Sequence, residues 1–205
     1  MILKVNIKMI EAPLPQRHSA LERIFVHAPP PLWLTEQPRP GHINLRGDIG
    51  DPAFCHAVED TLGVAPPAAA NTLASTGDGV TDGVILCWLG PDEWLAMMPE
   101  QAGPAKLQAL QGALANLHAS VVDVSDGQTL LQLNHPQAAD LLARDCPLDF
   151  HDSVFKVGSC AQSVIAKSNI LILREASDAF SLVVRRSFAE YVYRLLESAA
   201  LRAGI

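Results

Sequence analysis

The sequence predicts an α+β protein in which a strand–helix–three strands–helix unit occurs twice. Two observations lead to this fold class. Apolar strand patterns are joined by short turns into two hairpins, VILCWL with EWLAMM and NILILRE with AFSLVVRR. Helical patterns flank each hairpin in the same order. Helices packed against antiparallel hairpins are typical of α+β folds and not of doubly wound parallel sheets.

The first unit begins with the short strand pattern HINLR. A helix follows over AFCHAVEDTLGV, with Asp51 as N-cap, Pro52 at the first helical position and Gly63 as the stop signal. NTLAS and the first hairpin supply three strands. The next helix is predicted over PAKLQALQGALANLH, whose leucines recur every three or four residues, and SVVDVS is a further strand.

The second unit repeats this order. TLLQLN is a strand, His135-Pro136 opens a helix over QAADLLARD, and CAQSVIAK precedes the second hairpin. The last helix covers SFAEYVYRLLESAAL, and Ser187 with Glu190 is predicted to form a capping box at its start. Trp94 and Phe180 occupy matching positions in the two units, 86 residues apart.

These patterns divide the chain into an N-terminal arm (1–41) and two α+β halves (42–125 and 126–205) of one globular body. The arm holds seven of the 15 prolines, which excludes a long helix or a central strand. It also carries apolar residues such as Phe25 and Trp33, so we expect it to lie on a surface. That surface is either the chain's own body or another chain, and both residues are candidates for a partner interface.

Composition narrows the classes of partner. The net charge is −7 and no basic cluster exceeds two residues, so we expect no nucleic acid partner. Lys4 and Lys8 interrupt the apolar start, which favours neither a signal peptide nor a membrane span. Four cysteines without a C-x-x-C pair are typical of reduced thiols. We therefore expect a cytoplasmic protein with no membrane partner.

A search for catalytic motifs yields no convincing candidate. The glycines of STGDGVTDGV precede a strand instead of opening a helix, which phosphate binding would require. There is no G-x-S-x-G nucleophile elbow and no metal-ligand spacing of His or Cys. Cys146 with His151 is the best thiol candidate, although DCPLDFH is more typical of a buried helix exit. We predict no catalytic and no metal-binding residue.

Two other polar groups are candidates for binding. Asp123 and Ser125 lie where a strand runs into a turn, so they could contact a cofactor or simply cap neighbouring backbone. Arg185 and Arg186 stand at the junction of the last strand and the last helix. They could receive a carboxylate or phosphate, contact a partner subunit, or pair with nearby acids.

The acidic pair Asp92-Glu93 lies between Trp88 and Trp94 in CWLGPDEWLAM. An acid–base site in an aromatic pocket is one interpretation. Gly90, Pro91 and Asp92 are, however, residues that tight turns favour, and apolar strands stand on both sides. The pattern therefore favours the solvated tip of a hairpin.

Several of these stretches together resemble the gamma subunit of bacterial heterotetrameric sarcosine oxidase. They cover most of residues 42–200: NLRGDIGDPAF (44–54), LGPDEWL (89–95), VVDVSDGQTLLQL (121–133), DCPLD (145–149), CAQ (160–162) and VRRSFAEYVYRLL (184–196).

The resemblance implies a fold related to the folate-binding part of the aminomethyltransferases, built from a duplicated α+β unit. It also implies assembly with alpha, beta and delta subunits into an enzyme that converts sarcosine to glycine, a one-carbon unit for tetrahydrofolate and hydrogen peroxide. FAD, FMN, NAD, tetrahydrofolate and zinc would be held by the other subunits, and this chain would stabilise the assembly. The alternative is a stand-alone folate-binding, one-carbon transfer or regulatory protein.

Overall fold

The computed structural model describes residues 18–25, 33–37, 40–77 and 79–205, apart from the side chain of Phe25. Its strands are β1 (Leu34–Gln37), β2 (Gly41–Arg46), β3 (Leu73–Ser75), β4 (Ile85–Gly90), β5 (Glu93–Met98), β6 (Ser120–Asp123), β7 (Gln128–Asn134), β8 (Cys160–Ile165), β9 (Ser168–Arg174) and β10 (Ala179–Arg185). Its α-helices are α1 (Glu22–Phe25), α2 (Pro52–Leu62), α3 (Gly103–Ala113), α4 (Ala138–Ala143) and α5 (Ala189–Ala203).

The strands form two antiparallel five-stranded sheets with the same internal order. The first sheet runs β3-β4-β5-β2-β6 and the second runs β8-β9-β10-β7-β1. In each, the opening strand of a unit pairs with the third strand of the three that follow its helix. The predicted duplication of a strand–helix–three strands–helix unit in an α+β fold is therefore confirmed.

The fifth strand of each sheet comes from outside its unit. β6 follows α3 and completes the first sheet, whereas β1, from the predicted arm, pairs with β7 in the second. Leu34 of β1 is fully buried, and the Glu36 carboxylate accepts hydrogen bonds from the backbone N–H groups of Ala20 and Leu21. The described parts of the arm thus lie on the chain's own body. The exact division at 41 and 125 stays a prediction.

Alternation along the strands builds four layers. Leu86, Trp94 and Ala96 face α2 and α3, while their neighbours Cys87 and Leu95 face the other sheet. The second sheet does the same with α4 and α5. The order of layers is therefore helices, sheet, sheet, helices, with one apolar core between the sheets and one under each helical layer.

One edge joins the two sheets directly. Thr72 and Ser159 form an isolated antiparallel bridge, and the N–H of Cys160 donates to the carbonyl of Asn71 at 2.9 Å. The Gln162 side chain donates to the carbonyl of Leu89 at 2.7 Å. These contacts hydrogen-bond the two sheets to each other at this edge.

Local predictions mostly agree with the structure. The Asp51 carboxylate accepts from the N–H of Ala53 at the start of α2, and Gly63 ends that helix with φ of 82°. VILCWL and EWLAMM form the predicted hairpin, and the structure places Trp88 opposite Trp94. The capping box at Ser187 is wrong. A 3₁₀ turn over Arg186–Phe188 precedes α5, and the carbonyl of Arg186 accepts the first helical N–H.

No helix among the described residues is long and apolar enough to cross a membrane.

Candidate functional site

Asp123 ends β6 and lies opposite Ile43 of β2, so its side chain is on the helical face of the first sheet. Its Oδ1 accepts from the backbone N–H of Ser125 at 2.9 Å and from the Ser125 hydroxyl at 2.5 Å. The Ser125 Oγ in turn accepts the backbone N–H of His42 at 2.9 Å. These contacts are those of a turn-capping pair, one of the two roles that the sequence left open.

The same pair lines a small pocket of about 200 Å³, which we call the small pocket. Its walls also include Arg186, Asp126 and Glu100, together with the start of α3 at Gly103-Pro104. The structure therefore brings Arg186 to the Asp123–Ser125 pair, two groups that the sequence singled out separately. Arg186 is held in place by donating to the carbonyl of His18 at 2.6 Å.

His42 of β2 belongs to no motif in the sequence. Its side chain is fully buried, and neither ring nitrogen has a hydrogen-bond partner among the described residues. Burial lowers the pKa of His42 to about 4, against an opposing attraction from the nearby Asp123 carboxylate. Successive residues of HINLR point to alternate faces of the strand, so His42 lies on the opposite face from Ile43 and Leu45. This alternation was the sequence signal for the position of His42.

Ser125, His42 and Asp123 lie close together but do not form a catalytic triad. A triad needs a hydrogen bond from the serine hydroxyl to the imidazole and another from the imidazole to the carboxylate. Here the serine hydroxyl bonds directly to the carboxylate, and the imidazole is on the opposite face of the sheet. The geometry offers no path for imidazole to accept the serine proton.

The thiol candidate is also separated from its supposed base. Cys146 is buried, and its sulfur lies 3.5 Å from the Ser163 hydroxyl. The exposed His151 ring contacts Ser153 at 2.8 Å instead. Cys146 therefore behaves as a core residue.

Arg185 and Arg186 diverge, because consecutive residues at a strand end point to opposite faces. Arg185 lines a second opening of about 580 Å³ between the two sheets, which we call the inter-sheet cleft. Its apolar wall residues include Leu95, Leu171 and Val183. Its polar wall residues are Asn44, Glu93, Gln128, Gln162, Ser163, Asn169 and Arg185. Glu93 is thus partly inside a cleft, which corrects its placement at the solvated hairpin tip. Asp92 does lie at that tip, 3.0 Å from Arg46.

Phe25 and Trp33 are the two arm residues predicted at a partner interface. The side chain of Phe25 lies outside the described residues. Trp33 is half-buried against α4 and α5, in contact with the small apolar cluster of Leu141, Ala199 and Ala200.

Among the residues that the structure describes, no group of three or more His, Cys, Asp or Glu side chains is arranged to hold a metal ion.

The architecture defines a class of protein. The glycine cleavage system aminomethyltransferase T from Bartonella henselae shares the fold, with a TM-score of 0.60 and 17% identity over 80% of this chain and 44% of that one. This places the chain among proteins with the duplicated α+β fold of the aminomethyltransferases.

Sequence comparison then gives the family. The model for the sarcosine oxidase gamma subunit family matches residues 46–202, and the chain belongs to that family. The sarcosine oxidase subunit gamma of Corynebacterium sp. (strain U-96) is 31% identical over 191 residues, which is 93% of this chain and 90% of that protein. In the structure of the heterotetrameric sarcosine oxidase from Corynebacterium sp. U-96 with pyrrole 2-carboxylate, one chain matches with a TM-score of 0.80 and 30% identity, over 91% of this chain and 95% of that one.

Proposed function

We propose that this chain is the gamma subunit of a heterotetrameric sarcosine oxidase and that it contributes to assembly instead of chemistry. The observation that carries the proposal is the match to a chain of such an oxidase over nearly the full length of both chains. The assembly would oxidatively demethylate sarcosine to glycine, pass the one-carbon unit to tetrahydrofolate and release hydrogen peroxide. Its FAD, FMN, NAD, tetrahydrofolate and zinc would belong to the alpha, beta and delta subunits.

The surface supports a role in assembly. Large apolar side chains are exposed, among them Phe188 and Tyr191, whose rings pack edge to face at 6.4 Å beside Arg186. Aromatic and arginine side chains are enriched at protein interfaces. We infer that this patch, together with Phe25 and Trp33, includes contacts to a larger subunit, whereas Arg185 lines the inter-sheet cleft. All four cysteines are free thiols, which supports placing the assembly in the cytoplasm.

Co-expression with the alpha, beta and delta chains tests the assembly role. We expect this chain to co-purify with flavin-containing chains, and Phe188→Ser with Tyr191→Ser to reduce its recovery at least tenfold while leaving its own melting temperature within a few degrees. Deleting residues 1–17 tests the arm without removing β1. An oxidase that assembles and works equally well without this chain would exclude the proposal.

A second candidate function is folate binding by the chain itself. The convergence of Asp123, Ser125 and Arg186 on the small pocket favours it, although about 200 Å³ is below the usual volume of a ligand pocket. Calorimetric titration of the full chain with tetrahydrofolate tests it. Micromolar binding that Asp123→Ala abolishes would support this function, and an absence of heat would exclude it.

A further inference from the structure

On one wall of the inter-sheet cleft, the Arg185 guanidinium neighbours the side-chain amide of Gln128, a neutral hydrogen-bond acceptor. Arg185 of β10 pairs directly with Gln128 of β7 in the second sheet. Residues opposite each other in an antiparallel pair project from the same face with their Cβ atoms about 5 Å apart. Both side chains line the cleft.

In the described part of the chain, neither of these two groups has a hydrogen-bond partner. The Arg185 guanidinium meets no carboxylate and no other acceptor in the described part of the chain. The Oε1 atom of Gln128 is fully buried, and no donor reaches it from the described residues. A buried acceptor without a donor is costly, so a ligand that supplies an N–H there gains free energy on binding.

The facing wall and the floor complement this pair. Glu93 of the first sheet lines the same cleft, where its Oε1 accepts from the Asn44 side chain at 2.8 Å. Its Oε2 lies 4.0 Å from the Arg46 guanidinium, and the carboxylate is on the wall opposite Arg185. Deeper in, Leu95, Leu171 and Val183 form apolar walls. The opening of about 580 Å³ lies within the range of small-molecule sites.

We propose that the inter-sheet cleft binds a free amino acid with an apolar side chain. The carboxylate of the ligand pairs with the Arg185 guanidinium, which suits planar oxyanions. The Gln128 side chain turns toward the opening, so that its Oε1 accepts from the ligand ammonium, which Glu93 also attracts. The apolar side chain rests between Leu95, Leu171 and Val183. This site is separate from the small pocket, and the inference does not depend on the proposed function.

A series of three probes tests which parts of the ligand are recognised. L-Leucine carries both charges and an apolar side chain, 4-methylpentanoate lacks the ammonium, and 3-methylbutylamine lacks the carboxylate. Titration of the full chain, followed by calorimetry and by NMR shifts, is expected to show submillimolar binding of leucine. Each incomplete probe is expected to bind at least tenfold more weakly. Equal binding of leucine and 4-methylpentanoate, or no saturable leucine binding, would overturn the proposal.

Two variants test which residue binds the carboxylate of the ligand and which binds its ammonium. Arg185→Gln is expected to weaken the binding of both leucine and 4-methylpentanoate at least tenfold. Gln128→Leu is expected to weaken leucine while leaving 4-methylpentanoate unchanged, a distinction that general damage to the fold would not produce. Arg202→Gln, on the exposed end of α5, is the matched control and should bind leucine as the parent chain does. Leucine binding that survives Arg185→Gln would place the ligand elsewhere.

Discussion

Arg174 and Asp152 are joined by a hydrogen bond of 2.5 Å between a 3% exposed guanidinium and an 82% exposed carboxylate. The same guanidinium donates to the carbonyls of Phe155 at 2.6 Å and Ser177 at 2.9 Å, and lies 5.3 Å from the Phe180 ring centroid. It therefore fastens the loop after α4 to the hairpin between β9 and β10. The carboxylate meets the cation from the solvent side.

Substituting Arg174 should lower the free energy of unfolding by more than substituting Asp152. Arg174→Met leaves buried carbonyl groups without donors, and we expect it to lower the free energy of unfolding by roughly 2–3 kcal/mol. Asp152→Asn alters an exposed group, and we expect a loss below about 1 kcal/mol. Urea unfolding of both variants measures the difference. Equal losses of unfolding free energy would mean that the ion pair stabilises the fold more than the hydrogen bonds from Arg174 to the carbonyl groups do.

His42 predicts a dependence of stability on pH. In the unfolded chain its pKa is near 6.5, whereas in the folded chain burial lowers the pKa to about 4. Between these values only the unfolded state binds the proton. The free energy of unfolding therefore falls as the pH is lowered from 6.5 to 4, by up to about 3 kcal/mol from this group.

The substitution His42→Leu measures how much His42 contributes to the pH dependence of stability. At pH 7 it replaces a neutral ring with two unpartnered nitrogens by an apolar side chain, so stability should be unchanged or higher. Between pH 6.5 and 4 the variant should lose less stability than the parent chain. Chemical unfolding across that range measures both, with the exposed His56→Gln as control. Identical pH profiles for parent and His42→Leu would show that the imidazole is hydrated or protonated in the folded state.

Trp94 links the first sheet to the segment between α2 and β3. Its indole N–H donates to the carbonyl of Pro67 at 2.9 Å, and its ring lies 5.6 Å from that of Phe54. Trp94→Phe keeps most of the apolar contact but leaves that carbonyl without its donor. We expect a loss of about 1–2 kcal/mol in unfolding experiments, against 3 kcal/mol or more for Trp94→Ala. If Trp94→Phe left the free energy of unfolding unchanged, water would be replacing the indole N–H as the donor to Pro67.

Local patterns were sufficient for most of the fold. The two hairpins and the caps of α2 depend on residues close in sequence, such as Asp51, Gly63 and the Gly90–Asp92 turn, so sequence reasoning found them. The origin of β1 was not predictable in this way. Its pairing with β7 joins residues almost 100 positions apart, and nothing local in LTEQ specifies that partner.

The candidate sites were less predictable because they depend on which face each side chain takes once the sheets pack. Arg185 and Arg186 are adjacent in sequence yet line different cavities. Glu93 follows a solvated turn residue but faces the other sheet. Gln128 carries no motif, and only its register opposite Arg185 makes it notable.

The arm offers the last prediction, because its strand belongs to the core of the second half. Leu34 is fully buried between β7 and the helices, so Leu34→Ala should lower the free energy of unfolding by about 2–4 kcal/mol. Leu201→Ala removes the same atoms from a side chain that is 73% exposed, and should change stability by less than about 0.5 kcal/mol. Deleting residues 1–37 should likewise lower the stability of the isolated chain. If Leu34→Ala left stability unchanged while weakening co-purification with the larger subunits, β1 would act at an interface and not within this chain's core.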